Sequence, residues 1–213
     1  MYAPNEELMD RALYIFGAGA HAEVVAELAE ILDYSVKAFI VSSPPESFFP
    51  QPWVLEDELD WSRISLAVVA IGDNSTRERV VGRIKERAPH VSLPSLIDPS
   101  ARISPSSTVN EGTLIMAAAV IQTSTCIGPF TIINTGAIIE HHCKVGRFAH
   151  IAPGATLGGE VSVGEGAFVG LGAVVLPRLT VGNRAILGAG AVALADIVDD
   201  MTLVGVPARP LTR

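Results

Sequence analysis

From Ile97 to Leu187 an aliphatic residue returns at every sixth position, sixteen times without a gap. The run includes Ile115, Ile121, Ile127, Ile133, Ile139, Val145, Ile151 and Leu157 in its middle. Four places after each aliphatic the residue is nearly always small: Ala101, Ser107, Thr113, Ala119, Thr125, Thr131, Ala137, Cys143, Ala149, Ala155, then mostly Ala. A fixed hexapeptide period predicts a left-handed parallel β-helix, in which each repeat is a short strand and a corner. Three hexads close one triangular coil, so residues eighteen apart stack about 4.8 Å from one another. The aliphatic and its small partner fill the inside. After Leu187 the pattern is predicted to stop, leaving a tail through 190–202 and Val204–Pro210.

Residues 1–96 follow other periods. Residues 1–12 read as a loose leader, and Leu13–Phe16 as a buried strand. The turn Gly17-Ala18-Gly19-Ala20-His21-Ala22 follows, then a helix carrying Val24, Val25, Leu28, Ala29 and Leu32 at helical spacing. Val36–Val41 is a second strand, completing a βαβ unit. Four prolines make Ser42–Pro52 a loop. Leu66–Ile71, apolar throughout, reads as a strand buried on both faces of a parallel sheet. Ser75-Thr76-Arg77-Glu78 has the form of a capping box opening a helix to about Ala88. The expectation is a small Rossmann-like α/β domain over 1–96, followed by a β-helix with a C-terminal tail over 97–213.

Composition narrows the function. The net charge is −8, with 8 basic against 15 acidic residues before position 97 and 7 against 8 after it. An acidic first half and a near-neutral second half argue against a nucleic-acid surface. No apolar run reaches the ~18 residues of a membrane span, and no signal pattern opens the chain, so no membrane insertion is expected. Cys126 and Cys143 give neither a metal spacing nor a disulfide framework. The protein is expected to be cytoplasmic. Arg178, Arg184, Arg209 and Arg213 gather toward the C-terminus, either as solvated charges or as a site for phosphates.

Three of the five histidines fall within Asn134–His150. His141 takes the third place of its hexad, a corner that projects outward, with Glu140 before it and His142 after. Gly159 lies one coil on, where a bare backbone is expected to leave room for an extended ligand. An imidazole there can take a proton from an attacking amine or hydroxyl. Consecutive histidines are expected to diverge, so no metal is expected, although three histidines suffice for zinc. The Gly17-x-Gly19-x-x-Ala22 turn is the context for phosphate at a helix N-terminus. No acid ends the second strand and the domain lacks a second mononucleotide half, so a single nucleotide or nucleotide-sugar suits it better than a dinucleotide. His21 is placed to touch such a ligand.

These residues together resemble the nucleotide-sugar acetyltransferases of the sialic acid O-acetyltransferase type, which include nucleotide-4-amino-sugar N-acetyltransferases. The shared marks are Phe16-Gly17-Ala18-Gly19-Ala20-His21 and Ala70-Ile71-Gly72-Asp73-Asn74 in the first domain. In the second they are Asn134-Thr135, Ile139-Glu140-His141-His142-Cys143, His150-Ile151-Ala152-Pro153-Gly154-Ala155 and Gly205-Val206-Pro207-Ala208. The resemblance implies a homotrimer with active sites between neighbouring β-helices and acetyl-CoA as co-substrate. It implies that residues 1–96 bind the nucleotide-sugar and 97–213 bind acetyl-CoA and carry catalysis. By position, His141 would be the general base, flanked by Glu140 and His142. His150, Gly159, Leu171 and Ala189 would hold acetyl-CoA. Gly19, Ala20, His21, Gly72 and Asn134 would meet the nucleotide-sugar. Two departures stand out: His142 replaces the usual acid after the base, and Ser42-Ser43 replaces the acids after the second strand. The resulting expectation is N-acetylation of a UDP- or GDP-linked 4-amino-4,6-dideoxy sugar by direct attack. O-acetylation of a sugar such as sialic acid, and an inert nucleotide-sugar-binding hexapeptide protein, are the alternatives.

Overall fold

The computed structural model describes residues 11–44 and 52–211. The leader predicted for 1–12 lies outside these residues except at its last two. Most of the predicted 42–52 loop, and Arg213 of the arginine group, also lie outside them.

The first domain is a four-stranded parallel sheet of β1 (Ala12–Phe16), β2 (Ser35–Val41), β3 (Trp53–Leu55) and β4 (Leu66–Val69), in the order β3-β2-β1-β4. α1 (Ala20–Ile31) carries the chain from β1 to β2, burying Ala22, Val25, Ala26, Leu28 and Ala29 against the sheet, whereas the predicted core position Val24 is exposed. α2 (Asn74–Arg87) covers the other face with Val80, Val81 and Ile84. The cap of α2 differs from the sequence expectation. Asp73 is the N-cap, its carboxylate accepting from the Thr76 amide at 2.8 Å and from the Ser75 hydroxyl at 2.8 Å. These bonds hold the Asp73 carboxyl below its usual range. An Asp two residues earlier outcompetes Ser75 because its oxygen reaches the orphan amides of the first turn.

From Leu96 onward the chain winds a left-handed β-helix whose short strands form three parallel sheets. Face 1 starts at Leu96–Ile97 and includes Ile132–Ile133, His150–Ile151 and Phe168–Val169. Face 2 includes Ile138–Ile139, Thr156–Leu157 and Val174–Val175. Face 3 includes Cys126–Ile127, Lys144–Val145 and Ser162–Val163. Before the last turn each strand pairs with the one eighteen residues on, as Ile133 with Ile151 and Ile139 with Leu157, whereas Ile186 pairs with Thr202 sixteen residues on. The aliphatics and their small partners fill one continuous core, in which Ile139, Ile151, Leu157, Ala149 and Ala155 have no exposed surface. Burying each large aliphatic contributes about 1.5–3 kcal/mol relative to leaving it in water.

The helix runs further than the hexads predicted. Val192–Ala193 adds a strand to face 2, and Thr202–Val204 adds one to face 1. Ala193 continues the six-residue register with a side chain too small to be read as an aliphatic repeat, yet it is 1% exposed.

The two domains share cores. α1 and β1 pack onto Leu96, Leu114, Met116 and Ile132 on face 1, and the α2 side of the sheet packs onto Phe130 and Phe148 at the corner between faces 3 and 1.

Candidate active site

The sheet order makes a switch point: from β1 the chain moves one way through α1 to β2, while β4 lies on the other side. Ligand crevices form outside the carboxyl ends of strands at such points. Gly17, with φ +119°, turns the chain there, and a Cβ on it would lie 2.9 Å from the Ala70 carbonyl oxygen, so only glycine fits. A cavity of about 600 Å³ opens beside it. Phe16, Gly17 and Ala18 form one wall, Ser42, Ser43 and Pro44 a second, and Thr76, Arg79 and Arg83 of α2 a third. Arg83 is paired with the Glu56 carboxylate through two hydrogen bonds, of 2.9 and 2.8 Å. Ser42 and Ser43 thus line the cavity, whereas Gly19, Ala20 and His21 stand outside its walls. The two arginines escaped the sequence reading. The available signal was a pair of cations one helical turn apart, just after the Gly72 turn, in an otherwise acidic half.

His21 and Gly72 belong to a second cluster, at the junction with face 1. His150 Nε2 lies 3.1 Å from Asn134 Nδ2, and its Nδ1 donates to the Gly72 carbonyl oxygen at 3.2 Å. The His21 ring stacks on His150 with centroids 6.5 Å apart, and Phe168 meets His150 edge-on at 5.2 Å. Burial pushes the His150 imidazole down to about 4, with the Arg77 and His21 charges adding to the effect and the Gly72 hydrogen bond opposing it. Burial, then Arg77, also lowers His21. His21 Nε2 is buried and has no hydrogen-bond partner. The first domain therefore meets Asn134 and His150, residues assigned from sequence to two different ligands.

Arg77 holds that junction together and was not singled out from the sequence. It is 1% exposed and donates to the carbonyl oxygens of Phe130 (2.9 Å), Ile71 (2.8 Å) and Phe148 (2.6 Å), and to Asn74 Oδ1 (2.8 Å). Burial lowers its guanidinium to about 10, partly offset by Asp73, so it remains cationic at neutral pH. Asn74 Nδ2 extends the strut to the carbonyls of Gly166 and Ala167.

The third group lies at the corner between faces 2 and 3, opposite face 1 in the triangular coil. From Gly112 onward the fourth residue of each hexad adopts a left-handed backbone: Ala118, Ser124, Phe130, His142, Phe148 and Glu160 have φ between +55° and +63°. At His142 (φ +60°) this corner geometry turns the ring back on its predecessor. The expected divergence is therefore wrong: His141 Nδ1 and His142 Nδ1 are 3.1 Å apart, with the rings edge to face. His141 Nδ1 is engaged by His142 and not by Glu140. The space expected over Gly159 is likewise taken by the His141 ring, since a Cβ on Gly159 would lie 2.5 Å from His141 Cε1. Among the described residues no group of three His, Cys, Asp or Glu side chains could hold a metal ion.

The remaining predicted residues divide between corners. Gly159 shares the His141 column, whereas exposed Leu171 and Ala189 stack on Pro153 at the corner between faces 1 and 2, beside Asn134. Cys143 faces the core, where burial raises its thiol and Sγ donates to the Gly158 carbonyl oxygen at 3.2 Å, so it offers no nucleophile. Arg184 is committed to Asp200 through two hydrogen bonds and is not a free cation. No helix among the described residues is long and apolar enough to cross a membrane.

Comparison with known proteins follows the same two-part layout. Residues 12–84 match the PglD N-terminal domain family. No curated protein sequence matches the chain. Among solved structures it is similar to GDP-perosamine N-acetyltransferase from Caulobacter crescentus in complex with CoA and GDP-perosamine. One such structure is 37% identical over 95% of this chain and 97% of the other, with a TM-score of 0.89. It is also similar to the acetyltransferase domain of PglB from Neisseria gonorrhoeae, solved also with acetyl coenzyme A. That domain is 37% identical over 94% of this chain and 100% of the other, with a TM-score of 0.85. WeeI from Acinetobacter baumannii is 25% identical over 94% and 99%, with a TM-score of 0.85. Identity of this level across both domains places the chain in the family of nucleotide-amino-sugar N-acetyltransferases.

Proposed function

We propose that the protein transfers the acetyl group of acetyl-CoA to the amine of a nucleotide-linked 4-amino-4,6-dideoxy sugar, with His141 as general base. The amine nitrogen attacks the thioester carbonyl, the C–N bond forms, and the C–S bond breaks. His141 Nε2 takes the amine proton and returns it to the departing thiolate of coenzyme A. The observation that carries this reading is the His141 ring itself: it projects from a coil corner, lies against the bare backbone of Gly159, and is held at Nδ1. A ring fixed at one nitrogen presents the other to a substrate. Cys143, facing inward, leaves direct attack as the route rather than an acyl-enzyme.

In this reading residues 1–96 hold the nucleotide-sugar. The nucleotide occupies the crevice of Ser42, Ser43 and Arg79, beside the Gly19-Ala20-His21 helix start. The sugar reaches toward Gly72 and Asn134, where the unpartnered His21 Nε2 awaits a polar group. Residues 97–213 bind acetyl-CoA, with Leu171 and Ala189 along its path and His150 near the thioester. GDP-perosamine, the ligand of a relative, is the first nucleotide-sugar to try.

His141 and the His21–His150 cluster lie on opposite sides of one β-helix, so a site using both needs a second copy. Trimerisation brings a corner of one subunit to the crevice of the next. Leu176 and Leu194, 40% and 54% exposed, stack beside the His141 column and supply apolar surface for such contact.

The test mixes the protein with acetyl-CoA and UDP-, GDP- and dTDP-linked 4-amino sugars plus sialic acid, and follows release of coenzyme A thiol. Release with one amino sugar, lost in His141→Ala, is the expected result. Undiminished turnover in His141→Ala removes the base assignment, and release with sialic acid alone moves the reaction to a hydroxyl acceptor.

A further inference from the structure

We propose that His142 is a positioning residue that fixes the tautomer of His141, accepting the His141 Nδ1 hydrogen on its own Nδ1. This rests on the assignment of His141 as the base. Two ring nitrogens 3.1 Å apart share one hydrogen: one must donate and the other accept. If His142 donates, His141 carries its own hydrogen on Nε2, and that nitrogen cannot take a proton. If His141 donates, Nε2 is left with its lone pair and the ring is a competent base. Only the second arrangement serves the reaction.

The geometry that produces this contact comes from the coil and not from the two residues. The fourth place of the hexad is left-handed from Gly112 onward, whether glycine or not, and His142 shares that backbone while its ring meets His141. Gly159 supports the arrangement from the other side. It supplies the flat backbone against which the His141 ring lies, and with it the ring is confined between His142 and the next coil. When Nε2 takes the amine proton, the imidazolium charge is shared through the Nδ1–H···Nδ1 bond. A neutral imidazole accepts that bond without adding an anion, while a carboxylate would accept it more strongly.

The chemistry makes an unusual demand on substitutions. Asn places its Oδ1 where His142 has Nδ1, so His142→Asn keeps an acceptor. Gln mimics the Nε2 side, so His142→Gln and His142→Leu lose the acceptor while retaining bulk. The first arm of the experiment is nitrogen-15 NMR of the histidine rings at about pH 8, where free imidazole is neutral. The His141 signals are identified by their loss in His141→Ala. Wild type and His142→Asn are expected to show His141 protonated at Nδ1, and His142→Leu to shift toward the Nε2–H form. The second arm is steady-state kinetics with acetyl-CoA and the accepted amino sugar. His142→Asn should keep kcat within about threefold, while His142→Gln and His142→Leu lose about 10–100-fold in kcat with KM unchanged, the usual scale for removing a partner that orients a histidine. An unchanged thermal midpoint in these variants excludes loss of folding as the cause.

A wild-type His141 protonated at Nε2, or the same tautomer in His142→Leu as in wild type, overturns the proposal. So does full kcat in His142→Leu. Turnover surviving in His141→Ala overturns the base assignment instead, and the NMR arm still decides the positioning role because it does not depend on activity.

Discussion

Gly159→Ala adds one methyl group at the point where the two ideas about His141 meet. That methyl would lie 2.5 Å from His141 Cε1, 2.6 Å from Nε2 and 3.2 Å from Nδ1. Carbon atoms settle about 3.5–4.0 Å apart, so the ring must retreat by about 1 Å or swing to another rotamer. Either movement breaks the 3.1 Å contact with His142. A misplacement of about 1 Å at a reacting group costs on the order of 100-fold in rate. Stability should hardly change. Gly159 is outside the left-handed region, so alanine gains about 0.4–1 kcal/mol by restricting the unfolded chain, against about 0.5–1.5 kcal/mol for an off-rotamer ring. The net keeps the midpoint within about 4 °C. Gly158→Ala is the contrast: its Cβ would meet the Pro177 backbone nitrogen at 2.7 Å, a clash that backbone must absorb, so stability falls. The assay is thiol release under saturating substrates, paired with thermal melts of both variants. Turnover of Gly159→Ala within threefold of wild type would refute the placement of the base on this glycine.

Arg77→Met should lower stability by about 3 kcal/mol, read by urea titration, because the carbonyls of Phe130, Ile71 and Phe148 lose a charged donor in a buried site. Acid should destabilise the fold through His150. His150 binds its proton at about 4 when folded and near 6.5 when unfolded, so the unfolded chain binds more protons between those values. The stability is fully present above pH 6.5, is lost as pH falls toward 4, and amounts to about 3 kcal/mol. His150→Phe should flatten the dependence of unfolding free energy on pH across that window, and an unchanged slope would count against the buried neutral imidazole.

The β-helix was legible in the sequence because its core is a one-dimensional repeat. Each coil contacts only its neighbours, so Ile133, Ile151 and Val169 announce their stacking by spacing alone. The parallel sheet of the first domain was legible for a related reason: apolar strands and a glycine turn are local features. Capping was less so, since Asp73 and Ser75 compete for the same amides and only backbone geometry at 73 decides between them. The candidate site was legible as a set of residues but not as an arrangement. His141, His142 and Glu140 read alike as neighbours along the chain, yet the left-handed corner at His142 selects which pair of rings meets. His150 and Asn134 are sixteen residues apart, and what encloses them is Gly72 and His21 from the other domain. Arg77, Arg79 and Arg83 look like ordinary helix-surface cations. Tertiary packing makes the first a buried strut between domains and turns the other two toward the crevice, because only the docked fold determines which side of α2 meets solvent.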